Sequence, residues 1–261
     1  MNKRDSLGDR MKNYENVTRN YLVRRTPVII RLDGKAFHSF TKGFTKPFDS
    51  VLMNSIQDTM LYLCRHIQGC VMGYCQSDEI SLLLIDYQDI DTCAWFDNNI
   101  LKLVSVSASM ATLSFNCYFK QNNEAEKYVL NEDEKGKEDI NSKRISRYDI
   151  AMFDSRAFNI PKEEVCNYFI WRQNDSSRNS IQMVGQSKFS HRQLQGVNTS
   201  KIQEMLFREY GINWSKDFST SEKRGSCCIR ENESWKVDYD IPIFTQNRNY
   251  IERYVYLDND K

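Results

Sequence analysis

Two acidic positions have the surroundings that chemistry needs. Asp33 closes an apolar run, Pro27-Val-Ile-Ile-Arg-Leu-Asp-Gly34, and Asp78-Glu79 lies between two more strand-like runs, Cys70–Tyr74 and Ile80–Ile85. The second arrangement reads as a β-hairpin with its acids at or just after the turn. An acid ending a buried strand and an acid in a hairpin tip meet if the strands are neighbours. Two carboxylates meeting there repel one another unless a divalent cation sits between them. Two metal ions held in this way would serve nucleotidyl transfer. Taken singly, each position reads equally well as a turn, because Asp-Gly is a common turn pair and an acidic pair suits a solvated hairpin tip. Taken together, with one amphipathic helix between them, they favour the metal.

Other candidates are weaker on residue type alone. Lys46 and Asp49 stand at a helix start, where Asp49 reads first as a cap and second, with Lys46, as a holder of a triphosphate. His38 reads as a surface histidine and Lys102 as a solvated lysine. Arg172, Arg178, Lys188 and Arg192 alternate with Trp171, Phe189 and polar amides, as a phosphate-positioning surface would. A solvated basic face reads the same way.

The elements that must position these residues follow from pattern. Residues 1–25 are polar, with Leu7, Met11, Tyr14 and Val17 at the spacing of a short amphipathic helix. Contiguous β-branched Val28, Ile29 and Ile30 suit a strand over Thr26–Gly34 buried on both faces. Lys35–Thr45 reads as a loop or turn. A helix then starts at Lys46-Pro-Phe-Asp-Ser50, with apolar residues from Val51 to Ile67 at i, i+3/i+4, and Gly69 stops it. Thr92–Tyr118 reads as a long helix, Gln121–Arg147 as a mobile acidic surface insertion, and Tyr148–Ile160 as a strand. Pro161 opens a helix through Trp171. A second helix over Asp175–Phe189 is expected with Asp175 or Ser176 as its cap. Thr199–Tyr210 is a short helix ended by Gly211, Lys223–Glu231 is a strand, and the last thirty residues have no clear period. This order argues for an α/β or α+β sheet with helices packed on it.

Bulk composition sets limits. The 261 residues carry a net charge of +1, so any nucleic-acid contact must use a local patch. Eight cysteines without a Cys-x-x-Cys pair, and three histidines, argue against a zinc site and for thiols buried in a reducing, cytoplasmic protein. No signal peptide or membrane-spanning helix is expected.

The motifs in order resemble one family. Arg31-Leu-Asp-Gly-Lys-Ala-Phe-His38, Lys46-Pro-Phe-Asp-Ser50 and Gln76-Ser-Asp-Glu-Ile-Ser81 resemble the tRNA-histidine guanylyltransferases. Phe153-Asp-Ser-Arg156, Tyr168-Phe-Ile-Trp-Arg-Gln173, Arg178-Asn-Ser-Ile-Gln-Met183, Tyr210-Gly-Ile-Asn213 and Lys223-Arg-Gly225 continue the likeness. The resemblance implies an antiparallel sheet flanked by helices, similar to the polymerase palm and to nucleotidyl cyclases, with a mostly helical C-terminal extension. Residues 1–147 would form a palm-like catalytic domain including the insertion. Residues 148–261 would complete that domain and supply the RNA-contacting region. The implied activity adds nucleotides to the 5′ end of a tRNA. A nucleoside triphosphate, ATP or GTP, activates that end, and the 3′-hydroxyl of an incoming nucleotide attacks it.

Carried over by motif, Asp33, Asp78 and the Gly34 carbonyl would ligate two Mg2+ ions. Ser77, Lys35, Ala36, Phe37 and His38 would line the nucleotide, and Lys46, Asp49 and Lys102 would hold its base or phosphates. Arg172, Arg178, Asn179, Lys188 and Arg192 would contact RNA. Glu79 receives no role. A homotetramer is implied. Where eukaryotic members carry His-Ile-Asn-Asn-Leu-Tyr-Asn, this chain has Ser177-Arg-Asn-Ser-Ile-Gln-Met183. That departure is similar to the bacterial and archaeal branch, which repairs truncated tRNA 5′ ends against the opposite strand as template. Addition of a single guanosine to histidine tRNA, a cyclase-like activity, and a non-catalytic RNA binder are the alternatives.

Overall fold

The computed structural model describes residues 6–129 and 150–257. Six antiparallel strands form one sheet in the order β4-β1-β3-β2-β5-β6. They are β1 (Val28–Gly34), β2 (Cys70–Gln76), β3 (Glu79–Leu84), β4 (Phe153–Asn159), β5 (Ser226–Glu231) and β6 (Ser234–Asp238). Strands from both expected segments therefore pair in a single sheet. The expected hairpin is β2–β3, joined by Ser77-Asp78. β1 lies between β3 and β4, with Asp33 opposite Glu79 on one side and Asp154 on the other.

Burial on both faces explains the apolar runs of β1 and β3. Val28, Ile30 and Leu32 enter one core with α3 (Ser50–His66) and α4 (Ile100–Val129). Ile29, Leu83 and Tyr74 enter a second core with Val165 and Phe169 of α5 (Lys162–Lys188) and with Phe244, Ile251 and Val255 of the C-terminal segment. Asp49 caps α3 as expected, accepting from the Leu52 amide at 3.1 Å. The helix buries Val51, Ile56, Met60 and Leu63, the stripe its sequence spacing demands.

Several boundaries differ from the sequence reading. The loop after β1 contains a four-residue turn of helix, α2 (Phe37–Phe40). The N-terminal helix α1 (Leu7–Asn16) forms, but none of its residues is buried. α4 begins at Ile100 after a 3-10 turn and runs on to Val129, so the first residues of the expected insertion are helical; 130–149 lie outside the described residues. The break expected near Asp175 is absent and α5 is continuous. Asp175 is not a cap: it bonds Arg172 at 2.7 Å and also Arg178, an i±3 arrangement that holds the helix together. Helix α6 (His191–Leu194) follows, and α7 (Thr199–Tyr210) ends at Gly211, whose φ of +69° suits glycine. α7 packs on the second half of α5 through Ile181, Val184, Ile202 and Leu206. Two short helices, α8 (Trp214–Asp217) and α9 (Thr220–Arg224), lead into β5, so Lys223 and Arg224 are helical rather than extended. The unassigned C-terminus supplies β6 and α10 (Asn249–Glu252).

Ile100–Glu126 contains an 18-residue stretch apolar enough to match a membrane-crossing helix by length and composition. Its inner face is core: Leu103, Ala111 and Phe115 have no solvent exposure. Its outer face leaves Leu101 and Leu113 exposed.

Candidate active site

The sheet brings the two acids together. The Gly34 amide donates to the Asp78 carbonyl at 3.1 Å, tying the end of β1 to the tip of the β2–β3 hairpin. Glycine is required at that point, because a Cβ on Gly34 would lie 2.3 Å from the Phe37 ring. Two non-glycine residues beside the acids take left-handed backbone, Ala36 at φ 56° and Ser77 at φ 49°. Such conformations cost energy and gather at functional turns. Ala36 turns the chain from β1 into α2, and its carbonyl accepts from the Ser39 and Phe40 amides at 2.9 and 3.2 Å.

The carboxylates differ in environment. Burial pushes Asp78 above the usual carboxylate range; hydrogen bonds from its own backbone and from Ser77 pull it down, and the nearby charge of Asp33 adds to the rise. Asp33 is about a third exposed, and its closest cation is Arg156 at 3.8 Å, which also lies 3.5 Å from Asp154. Glu79, one residue beyond Asp78, is buried on the sheet face under α5. Its two oxygens face Arg31 at 2.6 Å and Arg172 at 2.8 Å. Burial raises Glu79 too, and these two arginines oppose the rise. Arg172 also reaches Asp175 and stacks 4.3 Å from the centre of the Trp171 ring.

Beside Asp78 opens a cavity of about 390 Å³. Of the residues expected at a nucleotide, it is lined by Phe37, His38, Lys46, Asp49, Ser77 and Asp78. Asp33, Gly34, Lys35 and Ala36 stand at the adjoining end of β1 and do not line it. Asp49 is committed to backbone, accepting from Leu52 and, at 3.0 Å, from Thr45. Lys102 is elsewhere, with its ammonium 5.5 Å from the centre of the Phe96 ring at the start of α4.

The RNA-contacting set also separates. Arg172, expected to contact RNA, is only 4% exposed, and its guanidinium faces Glu79 and Asp175 rather than solvent. Arg178, Lys188 and Arg192 are exposed. Asn179 lines a smaller cavity behind the hairpin turn, with Gln76, Ser77 and Ser180.

The sequence reading missed Met183 and Gln186, which wall the main cavity. Their signal was present: Ser176, Asn179, Ser180 and Met183 follow i, i+3, i+4, i+7 along one face of the helix expected over Asp175–Phe189. Asp154 and Arg156 were visible only as motif residues; their closeness to Asp33 depends on β4 pairing with β1.

The oxygen donors at the acids fit magnesium. Among the described residues no three Asp, Glu, His or Cys side chains converge to hold a metal. A pair of carboxylates with a backbone carbonyl nearby is what Mg2+ uses when waters and substrate phosphates complete its shell. The raised Asp78, next to Asp33, is a pair of groups that lacks a full counter-charge.

Comparison with known proteins gives the family. Residues 8–161 match the family model of tRNA(His) guanylyltransferase. The tRNA(His) guanylyltransferase of Debaryomyces hansenii is 29% identical over 88% of this chain and 83% of its own length. Among solved structures, a bacterial tRNA(His) guanylyltransferase-like protein in complex with ATP is 45% identical, at a TM-score of 0.84, over 97% of this chain and 100% of its own. A second, in complex with GTP, is 40% identical at a TM-score of 0.75, over 97% and 100%. The Saccharomyces cerevisiae enzyme, 20% identical over 93% of this chain and 100% of its own, shares the fold at a TM-score of 0.68. With its antiparallel palm-like sheet and its acids at the mouth of a cavity, the chain belongs to the tRNA(His) guanylyltransferase family of nucleotidyltransferases.

Proposed function

We propose that this nucleotidyltransferase is a template-dependent 3′-to-5′ enzyme that adds nucleotides to the 5′ end of truncated tRNA, using ATP and GTP as substrates. The observation that carries the reading is the closeness of Asp33 to Asp78, which lines the cavity, while the third acid nearby, Glu79, is neutralised by two arginines. The bacterial relatives solved with ATP and with GTP support the nucleotide assignment.

In this account Asp33, Asp78 and the Gly34 carbonyl would hold Mg2+. When bound, the ions supply positive charge at the triphosphate, where negative charge must be stabilised. The protein's own part is placement. The hydrogen bond from Gly34 to Asp78 keeps the two acids in register. Lys46 in the cavity wall offers a point charge for phosphate, and Phe37 offers apolar surface. Asp49 holds the loop and helix start that carry Lys46. Arg31, Arg172 and Glu79 brace the hairpin against α5, so that Asp78 does not drift. Exposed Arg178, Lys188 and Arg192 supply the local positive potential for the RNA backbone that a net charge of +1 cannot give as a whole.

Templating is favoured by Ser177. A neutral hydroxyl on α5 replaces the histidine of eukaryotic members, and only an imidazole titrates unperturbed near neutrality. Watson–Crick pairing then selects the nucleotide, and the protein has only to hold the chain end. The greater identity to the bacterial proteins than to the yeast enzymes is in line with this branch. The exposed Leu101 and Leu113 on the outer face of α4 suit a homotetramer, and eight free cysteines suit a cytoplasmic site. The test is a truncated acceptor stem with each base in turn opposite the missing position. Four matching insertions support templated repair; guanosine insertion whatever the opposing base returns the chain to single-guanosine addition.

A further inference from the structure

A second cavity, of about 440 Å³, adjoins the first and shares two of its walls, His38 and Gln186. It lies where the C-terminal turns of α5 meet α6 and α7. Three carboxamides, Gln182, Gln186 and Gln195, and two imidazoles, His38 and His191, surround it. Phe189 and Ile202, both buried, contribute apolar surface. Among the described residues no lysine, arginine or carboxylate lines it.

That lining has a definite chemistry. Amides and imidazoles offer neutral donors and acceptors, which match the edge of a nucleobase. Aromatic and aliphatic surface matches its flat face. Nothing there would hold a triphosphate, so a free nucleotide is a poor fit. Cations do stand just outside: Lys188 precedes Phe189 and Arg192 follows His191, and both are exposed. A neutral, partly apolar cavity flanked by cations suits one unpaired nucleotide of an RNA strand, its base inside and its phosphates on the rim. A paired base is excluded because its hydrogen-bonding edge and both faces are already occupied.

We infer that this cavity holds the base of an unpaired nucleotide of the tRNA strand opposite the growing 5′ end, next to the templating position. The inference rests on the templated-repair reading and names a subsite of it. The shared walls explain why the two sites would work together: a base drawn into the second cavity peels the overhang away from the first, leaving the templating base free to pair with an incoming nucleotide.

The test uses the full chain and an acceptor-stem minihelix lacking its first 5′ nucleotide. Its 3′ strand extends past the templating base. In a second substrate the first unpaired nucleotide beyond that base is abasic, and in a third it is 2-aminopurine. Wild type should lose about tenfold in kcat/KM on the abasic substrate, the order expected when the hydrogen bonds between one base and a pair of carboxamides are lost. The 2-aminopurine fluorescence should change on binding. The Gln182→Ala/Gln195→Ala variant, altered at two exposed positions outside the first cavity, should treat intact and abasic substrates alike, keep its choice of templated nucleotide, and give no fluorescence change. Equal rates for wild type on both substrates, or a double variant as discriminating as wild type, would overturn the inference. So would loss of the fluorescence signal to excess ATP while the RNA stays bound, which would assign the cavity to a free nucleotide. Should wild type extend none of the substrates, the repair reading fails, and the fluorescence change in wild type against the variant still decides the cavity.

Discussion

Asp78 and Glu79 are neighbours in sequence and opposites in environment. Glu79 is held at 2.6 Å by Arg31 and at 2.8 Å by Arg172, under α5. Asp78 sits in the hairpin turn at the wall of the cavity, its pKa raised by burial and by the nearby Asp33. A buried carboxylate left without compensation costs several kcal/mol, so evolution neutralises it or uses it. Glu79 is neutralised and fixes geometry. On the proposed reading, Asp78 and Asp33 serve a cation that arrives with the substrate. On that reading the same side-chain chemistry yields a brace at one position and a ligand at the next, because Glu79 begins β3 whereas Asp78 stands in the turn before it.

The largest effect should come from Asp33 and Asp78. Asp33→Ala and Asp78→Ala are each expected to lower nucleotide addition by about a thousandfold or more. Their melting temperature in EDTA should be unchanged or higher, since a carboxylate under repulsion has been removed. An active Asp78→Ala enzyme would erase the contrast between the two acids. The brace should fail in the opposite way. Arg172→Ala leaves Glu79 buried beside only one arginine and should destabilise the fold by roughly 3–5 kcal/mol in urea denaturation. Adding Glu79→Gln to Arg172→Ala should recover part of that loss; no recovery would mean that Arg172 acts through Asp175 and Trp171 instead.

Two smaller effects sharpen the picture. Binding of tRNA should weaken with salt, and each of Arg178→Ala, Lys188→Ala and Arg192→Ala that removes a phosphate contact should flatten the log–log slope by about 0.7 to 0.9. An unchanged slope in the triple variant would make that face merely solvated. The pH dependence follows from Asp78. Its folded pKa lies above the ordinary value, so the metal-free fold favours the protonated form. The associated stability is fully present below the ordinary carboxylate pKa, near 4, and is lost as pH rises through the raised value. Glu79 shifts in the same sense, so wild type is to be compared with Asp78→Asn, whose melting temperature in EDTA should fall less over that rise.

The strand-and-acid layout was legible because it is local. Contiguous Val28, Ile29 and Ile30 suit a strand buried on both faces, and an acid pair between two apolar runs reads as a hairpin with its acids at or just after the turn. Asp49 as a cap and Gly211 as a helix end were legible for the same reason. What sequence could not show depends on pairing at a distance. Arg172 reads as one of a basic series, and only the placement of α5 against β3 shows it buried on Glu79. Asp154 and Arg156 reach Asp33 only because β4 pairs with β1 across more than a hundred residues. The continuity of α5 was obscured by Asp175, a good cap type whose carboxylate is instead taken by arginines one turn to either side. The C-terminal strand β6 does alternate, with Trp235 and Val237 packed against the first core and Ser234 and Lys236 exposed, but five residues on a sheet edge are too short a signal to stand out among the charges around them.

The contrast between Asp78 and Glu79 is tested most directly by counting bound metal. Mn2+ is the paramagnetic stand-in for Mg2+, and its binding is read by electron paramagnetic resonance in the presence of a non-hydrolysable ATP analogue. Wild type and Glu79→Gln should bind the same number of ions, whereas Asp33→Asn and Asp78→Asn should each lose binding by tenfold or more in affinity, of the order seen when a ligand or its support is removed. Loss of metal in Glu79→Gln with retention in Asp78→Asn would contradict the account.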